Sequence, residues 1–317
     1  MSLSISDSTV KAAINAIESE SATIEEKIAM LIELAQGFEC KSKTTRDLRH
    51  AVSLYYQAYE LCQDDYPLLK ARTQVGIGNT LKAISSEGSE LLVQAKTAYE
   101  DALPILQELG TEEEVASVQM NLGLVLQSLV TYNLARITDA IAAYRAALKF
   151  FTWQTHPHEY AVLNNNIAIA YLSMPLPPVK ERMREALAIQ YLELALQHIN
   201  CQEHPHEYAM LQNNLGNALQ YLPNSQPIEN NLRAISAYDE ALKVRTYENT
   251  PIEYAKTICN KANALLNLPD NLNHPHLGNP QNQSQAQTYY LQALDIFQKH
   301  QQLEQVKVVQ QALQSFS

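Results

Sequence analysis

The chain has 317 residues, a formal net charge of −11 and a sequence pI near 5.3, and 46% of its residues are hydrophobic. This hydrophobic content can form a large core, which excludes a chain that is disordered throughout. The acidic balance disfavours contact with a phosphate backbone, so we expect no nucleic-acid partner.

The beginning of the chain and its cysteines predict a cytoplasmic protein. Residues 1–20 contain acidic side chains and no apolar run of signal-peptide length, and nowhere do eighteen apolar residues follow one another. The four cysteines, Cys40, Cys62, Cys201 and Cys259, lie far apart and form no CxxC pair. We therefore expect free thiols in a reducing compartment and no insertion into a membrane.

Apolar residues recur at intervals of three and four along almost the whole chain, which predicts an all-α protein. Only 8 glycines are present, and no alternating run of β-branched residues is long enough for a sheet. At the N-terminus, Val10, Ile14 and Ile17 form a single apolar stripe. A helix that is apolar on one side suits the end of a helical array, so residues 1–23 are predicted to be an N-terminal cap.

Two short patterns alternate along the rest of the chain. The first is Ala, three residues, Tyr, two residues, Ala; its copies begin at Ala51, Ala95, Ala140, Ala188, Ala234 and Ala286, with Leu192 in place of one tyrosine. The second pattern ends in a small residue, at Gly78, Gly123, Ala168, Gly216 and Ala262. Each small residue follows the preceding tyrosine pattern by 20 or 21 residues, so each unit is predicted to be a helical hairpin.

Helix packing explains the residue types of these patterns. Small residues allow a neighbouring helix to approach closely, and the tyrosine is expected to fill the gap between hairpins. One hairpin alone cannot bury its apolar face, so the units must stack on one another.

At these patterns the sequence resembles the tetratricopeptide repeat family. The stretch "NNLGNALQYL" from Asn213, followed by "AISAYDEAL" from Ala234, resembles the two helices of its unit, and the resemblance covers about residues 24–297. The His-Pro start and paired asparagines of "HPHEYAMLQNNLGNAL" resemble the long-repeat branch that includes kinesin light chains. Here the period is 43 to 52 residues, compared with about 34 in the usual repeat.

The resemblance implies a right-handed superhelical solenoid of about six extended hairpins over residues 24–298. The apolar stripe of Leu303, Val306, Val309, Leu313 and Phe316 predicts a C-terminal capping helix over residues 299–317. Two features depart from the repeat. Lys261 occupies a position where the pattern has an apolar residue, and the polar segment 268–285 predicts a long loop inside the sixth hairpin.

The phrase "HPHEY" occurs at His156 and again at His204, and it predicts the start of a first helix. Pro157 and Pro205 would take the first helical position, and the glutamate that follows would lie in the first turn, where it favours the helix dipole. The sixth unit has "TPIEYA" there, without either histidine, which favours a capping role for the phrase.

Metal binding is the alternative interpretation of these histidines, with His158 and His206 as weak candidate ligands. A third His-Pro-His triplet, residues 274–276, is predicted at the opposite edge of the array, about 25 Å away, so the triplets cannot share one ion. We therefore expect no metal site and no cofactor. The chain also lacks GxSxG, a phosphate-binding glycine loop, HExxH and a cysteine beside a histidine with an orienting partner, so we expect no enzyme activity.

The resemblance implies that the first helices line a concave groove. The residues carried over to it are Arg72, Asn79, Lys82, Gln127, Asn165, Ile169, Met210, Asn213, Asn217, Gln220 and Asn263. Their amides could bond to an extended backbone, and their apolar members could select anchors. We expect the groove asparagines to face solvent. Asn164, Asn166 and Asn214 are instead expected to tie neighbouring helices together.

These observations predict a non-enzymatic scaffold that binds an extended or helical segment of a partner protein in this groove. The alternative is a regulatory protein in which a signal peptide or metal changes the superhelix and thereby changes partner binding. The array accounts for nearly all of the chain, so either function would act through partners.

Overall fold

The structure is a computed structural model, which describes residues 8–19, 21–40, 44–84, 88–175, 181–222 and 226–316. The chain divides into two compact units, residues 1–151 and residues 152–317. Each unit is described by itself.

The first unit consists of a terminal helix followed by three helical hairpins. Its helices are α1 (Ser8–Ser19), α2 (Ile24–Cys40), α3 (Thr45–Cys62), α4 (Pro67–Ala83), α5 (Ser89–Leu109), α6 (Glu112–Val130) and α7 (Ile137–Ala147). The pairs α2 and α3, α4 and α5, and α6 and α7 pack as hairpins, and each hairpin also contacts the next one. Helix α1 packs against α2 and α3 through buried Val10 and Ile14.

The second unit repeats this arrangement. Its helices are α8 (Pro157–Leu172), α9 (Glu181–Leu196), α10 (Pro205–Tyr221), α11 (Pro227–Leu242), α12 (Pro251–Leu266), α13 (Pro280–Lys299) and α14 (Leu303–Gln314). The hairpins are α8 with α9, α10 with α11, and α12 with α13. Helix α14 packs on α13.

The prediction of an all-α fold built from six helical hairpins is confirmed, with three packed hairpins in each unit, and the described residues contain no β-strand. The boundaries 1–23, 24–298 and 299–317 and the right-handed sense of the superhelix stay predictions. Residues 1–7, 20 and 317 of the two predicted caps lie outside the described part of the chain.

The helix starts follow from prolines, as predicted for the repeated phrase. Pro157 and Pro205 are the first residues of α8 and α10, and Glu159 and Glu207 lie in the first turns. Proline suits this position because the first amide of a helix has no acceptor within the helix. Helices α4, α11, α12 and α13 also begin with proline.

Within the hairpins, the repeated tyrosine packs on the repeated small residue. Tyr238 is completely buried, and a Cβ added to Gly216 would lie 2.5 Å from Cε1 of the Tyr238 ring. The same relationship joins Tyr99 to Gly78 and Tyr144 to Gly123. These rings therefore cover the glycine of their own hairpin rather than filling only the gap between hairpins.

Lys261, which departs from the repeat, is held between the helices of the last two hairpins. Its Nζ lies 2.5 Å from Oδ1 of Asp239 in α11 and 5.6 Å from the centre of the Tyr289 ring in α13. Its side chain is only 12% exposed. The aspartate and the ring thus accommodate a lysine at a position where the pattern has an apolar residue.

The prediction of a loop over residues 268–285 was too long at its C-terminal end, because α13 already begins at Pro280. Asp270 explains the early start. Its carboxylate accepts hydrogen bonds of 2.8 Å from the backbone N–H groups of Gln281 and Asn282, which have no acceptor inside the first turn. A 3₁₀ helix, Pro275–Leu277, carries the third histidine triplet and lies after α12, as predicted.

Helix α14 covers the last hairpin with part of its predicted apolar stripe. Val309 is 3% exposed, and Val306, Leu313 and Phe316 pack against the same core. Leu303 was predicted to belong to this stripe, but it is 70% exposed because it is the first residue of the helix.

Candidate functional site

The candidate site is a pocket of about 460 Å³ in the second unit, lined by residues of α10, α12 and α14. One wall carries the amides of Asn213, Asn217 and Asn260. Apolar residues from the end of α13 and from α14 line the pocket as well; they are Phe297, Val308 and Val309. Two of the predicted groove residues, Asn213 and Asn217, are therefore brought together in one cavity.

Asn217 is fixed by the repeated tyrosine. Its Oδ1 accepts a hydrogen bond of 2.8 Å from the hydroxyl of Tyr238, and that hydroxyl accepts one of 2.5 Å from Nε2 of Gln220. No described residue accepts a hydrogen bond from Nδ2 of Asn217. This NH₂ group is held in one orientation and can donate to a bound molecule.

A row of amide hydrogen bonds runs from α12 through α10 to α8. Asn260 Nδ2 donates to Asn213 Oδ1 at 3.3 Å, and Asn213 Nδ2 donates to Asn214 Oδ1 at 3.1 Å. Asn214 Nδ2 then donates to Asn165 Oδ1 at 2.6 Å. Asn213 and Asn214 each both donate and accept in this row, and all three bonds point in the same direction, which strengthens each of them.

This row corrects the expectation that the groove asparagines face solvent. Asn165 and Asn213 are only 5% and 7% exposed, because amides of neighbouring helices surround them. Asn214 joins α10 to α8, as expected of a residue that ties helices together. Asn164 does not, because its Nδ2 donates to the carbonyl of Tyr160 in its own helix.

Charged side chains lie along the same pocket. Arg245, which precedes α12, is half-buried, whereas Lys256 and Glu253 are exposed. Burial lowers the pKa of the Arg245 guanidinium from its ordinary value. Burial raises the pKa of Cys259 to about 12, so this thiol stays protonated and is a poor nucleophile.

Arg245 and the apolar wall of the pocket were not predicted from the sequence. Val308 is 67% exposed although it is apolar, and it lies outside the stripe by which α14 packs on the last hairpin. An apolar residue outside a buried stripe is the signal that could have marked this wall. Arg245 could have been found only by comparing the loops between hairpins.

The other predicted residues of the second unit also lie on the first helices, and two of them have hydrogen-bond partners. Gln220 also donates to the backbone carbonyl of Asn260 at 3.1 Å, and Asn263 accepts a hydrogen bond of 2.5 Å from the Tyr290 hydroxyl. Met210 and Ile169 are half-buried. Their role in partner binding stays a prediction.

In the first unit, Arg72 and Asn79 line a separate pocket of about 240 Å³ together with Asn121. Asn79 Oδ1 accepts hydrogen bonds from Tyr99 at 2.7 Å and from Asn121 at 3.1 Å. Arg72 Nε lies 2.7 Å from Oε1 of Glu114 in the next hairpin. This pocket is smaller, and its polar groups are largely paired.

Lys82 and Gln127 complete the predicted set in the first unit. Lys82 Nζ donates to Asn121 Oδ1 at 2.6 Å, and burial lowers the pKa of its ammonium group. Gln127 Oε1 accepts a hydrogen bond of 2.8 Å from the Tyr144 hydroxyl.

His158 makes a contact between two hairpins. Nδ1 of His158 lies 2.6 Å from Oε1 of Glu207, so the first-turn glutamate of α10 also binds the preceding hairpin. His206 is exposed. No group of three histidine, cysteine or acidic side chains suitable for a metal ion occurs within the described ranges.

No helix in the described part of the chain has the length and apolar character needed to cross a membrane. No protein-family model matches the chain, and no curated protein matches it in sequence.

Among solved structures, the chain is similar to the Signal Transduction ATPase with Numerous Domains protein with a tetratricopeptide repeat sensor from Pyrococcus horikoshii. The TM-score is 0.58 at 14% identity, over 95% of this chain and 42% of that one. The chain thus spans less than half the length of the archaeal protein. It also matches the TPR2AB domain of yeast Sti1 in its pHSP90 complex, at 16% identity over 91% of this chain and 98% of that one, but with a TM-score of only 0.30. The first similarity shows that the fold is of the tetratricopeptide repeat kind.

Proposed function

We propose that this chain is a non-enzymatic protein-interaction scaffold of the long-repeat, kinesin-light-chain-like type, which holds an extended segment of a partner protein against its first helices. The pocket along α10, α12 and α14 is the part of that surface best suited to the task. It combines amide groups, which suit a peptide backbone, with exposed apolar surface at Val308, which suits an anchor side chain.

The observation that carries the proposal is the state of the Asn217 amide. Its Oδ1 accepts the hydrogen bond from Tyr238, Asn217 lines the pocket, and its Nδ2 has no acceptor among the described residues. An oriented donor beside apolar surface fits the backbone carbonyl of a bound segment.

The proposal also covers the protein's setting. A partner protein, no nucleic acid and a cytoplasmic location fit the net charge of −11 and the four free cysteines Cys40, Cys62, Cys201 and Cys259.

The test is selection of a random dodecapeptide library on the immobilised chain, followed by calorimetry with the enriched peptides. In Asn217→Asp, the oxygen that Tyr238 binds is retained, and the donor becomes an acceptor. We expect affinity to fall roughly five- to a hundred-fold with little change in stability, because one hydrogen bond is lost and a carboxylate faces the peptide carbonyl.

The matched control is Asn133→Asp, which makes the same change of charge at an exposed turn of the first unit. It should leave peptide affinity unchanged. Enrichment of no peptide, or equal affinity of the parent and Asn217→Asp, would show that this pocket is not a partner-binding site.

A further inference from the structure

The loops that lead into α8, α10 and α12 can be aligned on the proline that begins each helix, and one aligned position carries a different type of residue in the third loop. Phe151, Ile199 and Arg245 each lie six residues before the proline that begins the next helix. Phe151 and Ile199 are apolar and are 3% and 0% exposed. At the third loop the same position is the half-buried Arg245 of the candidate pocket.

A second position changes together with it. Leu163, Leu211 and Thr257 each lie six residues after the same prolines, and all three are 0% exposed. Arg245 Nη1 donates to Thr257 Oγ1 at 3.0 Å, and that hydroxyl donates to the backbone carbonyl of Glu253 at 2.8 Å. The apolar residues at these two positions in the α8 and α10 hairpins are thus replaced by a hydrogen-bonded polar pair beside the pocket; a buried threonine, Thr73, also follows the first proline of α4 by six residues, so Arg245 is the more distinctive change.

The guanidinium lacks a carboxylate partner of its own. No ion pair joins Arg245 to any carboxylate of the described residues, and Glu253 favours its charge only from a longer distance. The other pocket carboxylate, Glu304, is exposed and lies 3.4 Å from Lys307. A half-buried cation without a partner is destabilising compared with an apolar residue, so the exchange does not serve packing.

We propose that Arg245 is a binding residue for an oxyanion, the carboxylate or phosphate of an acidic or phosphorylated side chain on the partner segment. The inference rests on the proposed function, because it assigns one side chain of the segment held at Asn217. Guanidinium has five N–H donors in a planar fork, and Thr257 uses one of them. The remaining donors can form a bidentate pair with an oxyanion, and Lys256 adds a second positive charge at the pocket.

The test exchanges the polar pair for the apolar pair of the preceding hairpin. In Arg245→Ile with Thr257→Leu, the two positions carry the residue types found at Ile199 and Leu211. We expect the double variant to unfold at a temperature equal to or above that of the parent. Its affinity for the selected acidic dodecapeptides should be roughly ten- to a hundred-fold lower, as for loss of a hydrogen-bonded charge.

A coupling measurement decides the inference even if the double variant is less stable. Each selected peptide is compared with versions in which its acidic residue is replaced by glutamine or by phosphoserine. With the parent chain, the glutamine peptide should bind roughly ten- to a hundred-fold more weakly than the acidic peptide. With the double variant, this ratio of dissociation constants should approach one. If the phosphoserine peptide binds as tightly as the acidic peptide or more tightly, phosphate is the preferred ligand. If it binds more weakly, carboxylate is preferred.

Arg233→Gln is the matched control, because Arg233 is paired with Glu193 at 2.8 Å and does not line the pocket. It should leave the ratio unchanged. Two outcomes would overturn this inference alone. In the first, the selected peptides depend on Asn217 but show no preference for an acidic residue. In the second, glutamine weakens binding to the double variant as much as binding to the parent. Selection that yields no peptide overturns it together with the proposed function.

Discussion

The hydroxyl of Tyr238 donates a hydrogen bond of 2.8 Å to Oδ1 of Asn217 and so joins the two helices of one hairpin. The repeated tyrosine makes the same kind of bond in four other hairpins; the pairs are Tyr55 with Glu39, Tyr99 with Asn79, Tyr144 with Gln127, and Tyr290 with Asn263. The exception among the six is the α8 and α9 hairpin. There Leu192 replaces the tyrosine and Ile169 replaces the amide, so both partners of the bond are absent.

Replacing Tyr238 with phenylalanine should destabilise the second unit by about 1 to 3 kcal/mol. The ring would still cover Gly216, but Asn217 would lose its donor and Gln220 would lose an acceptor. Urea unfolding followed by fluorescence measures the effect, because the single tryptophan of the chain, Trp153, belongs to this unit.

The exposed Tyr132, which lies in a turn of the first unit, supplies the control. Tyr132→Phe should leave the unfolding midpoint unchanged. Equal stability of Tyr238→Phe and the parent would mean that Tyr238 stabilises the fold only through its ring and that its hydroxyl contributes nothing.

Replacing Gly216 with alanine should cost about 1 to 3 kcal/mol, because its Cβ would lie 2.5 Å from the Tyr238 ring and the buried ring has little room to move. Gly37 in α2 has no atom within 4 Å of an added Cβ. Gly37→Ala should therefore stabilise the protein by about 0.5 to 1 kcal/mol through helix propensity. Scanning calorimetry of the two variants should show opposite shifts, and shifts of the same sign would refute the close packing of tyrosine on glycine.

Much of this fold was predictable from local patterns. Proline places the helix starts, and the alternating tyrosine and small-residue patterns place the six hairpins, because both depend on neighbours a few residues apart or one hairpin away. The early start of α13 was not predictable in this way. It depends on Asp270, eleven residues before the Gln281 amide that it caps, in a segment whose composition is typical of a loop.

The candidate site was less predictable than the fold. The positions of Asn213 and Asn217 on α10 follow from the repeat, but their different partners do not, because Asn260 and Tyr238 come from two other helices. The roles of Arg245 and Val308 depend on which helices enclose the pocket. Spacing within one repeat carries no information about that enclosure.

Replacing Glu114 with glutamine should destabilise the first unit by about 1 kcal/mol or less at neutral pH, since the pair with Arg72 is partly exposed. The hydrogen bond from Arg72 lowers the pKa of Glu114 below its ordinary value of 4.5. The stabilisation is therefore fully present above the unfolded-state pKa and is lost as the pH falls through the lower folded-state pKa. The free energies of unfolding of the parent and Glu114→Gln should differ at neutral pH, and the difference should disappear as the pH falls through the folded-state pKa of Glu114. A difference that grows on acidification would reverse the assigned sign.

Replacing Asn213 with alanine should destabilise the second unit by about 1 to 3 kcal/mol, whereas Asn217→Asp should leave its stability nearly unchanged. Asn213 is 7% exposed and lies in the middle of the amide row, so its loss leaves Asn260 Nδ2 without an acceptor and Asn214 Oδ1 without a donor. Asn217→Asp keeps the oxygen that Tyr238 binds and changes only the NH₂ group, which has no acceptor among the described residues.

Urea unfolding followed by Trp153 fluorescence measures both variants in the unit that carries them. Asn249→Ala, at an exposed loop position, controls for the loss of an asparagine as such. The two test variants should separate stability from binding, because Asn213 joins adjacent hairpins, whereas we propose that the NH₂ group of Asn217 donates to the bound segment. Equal losses of stability in Asn213→Ala and Asn217→Asp would mean that both amides brace the helices, and the binding surface would then have to be sought on another face of the hairpins.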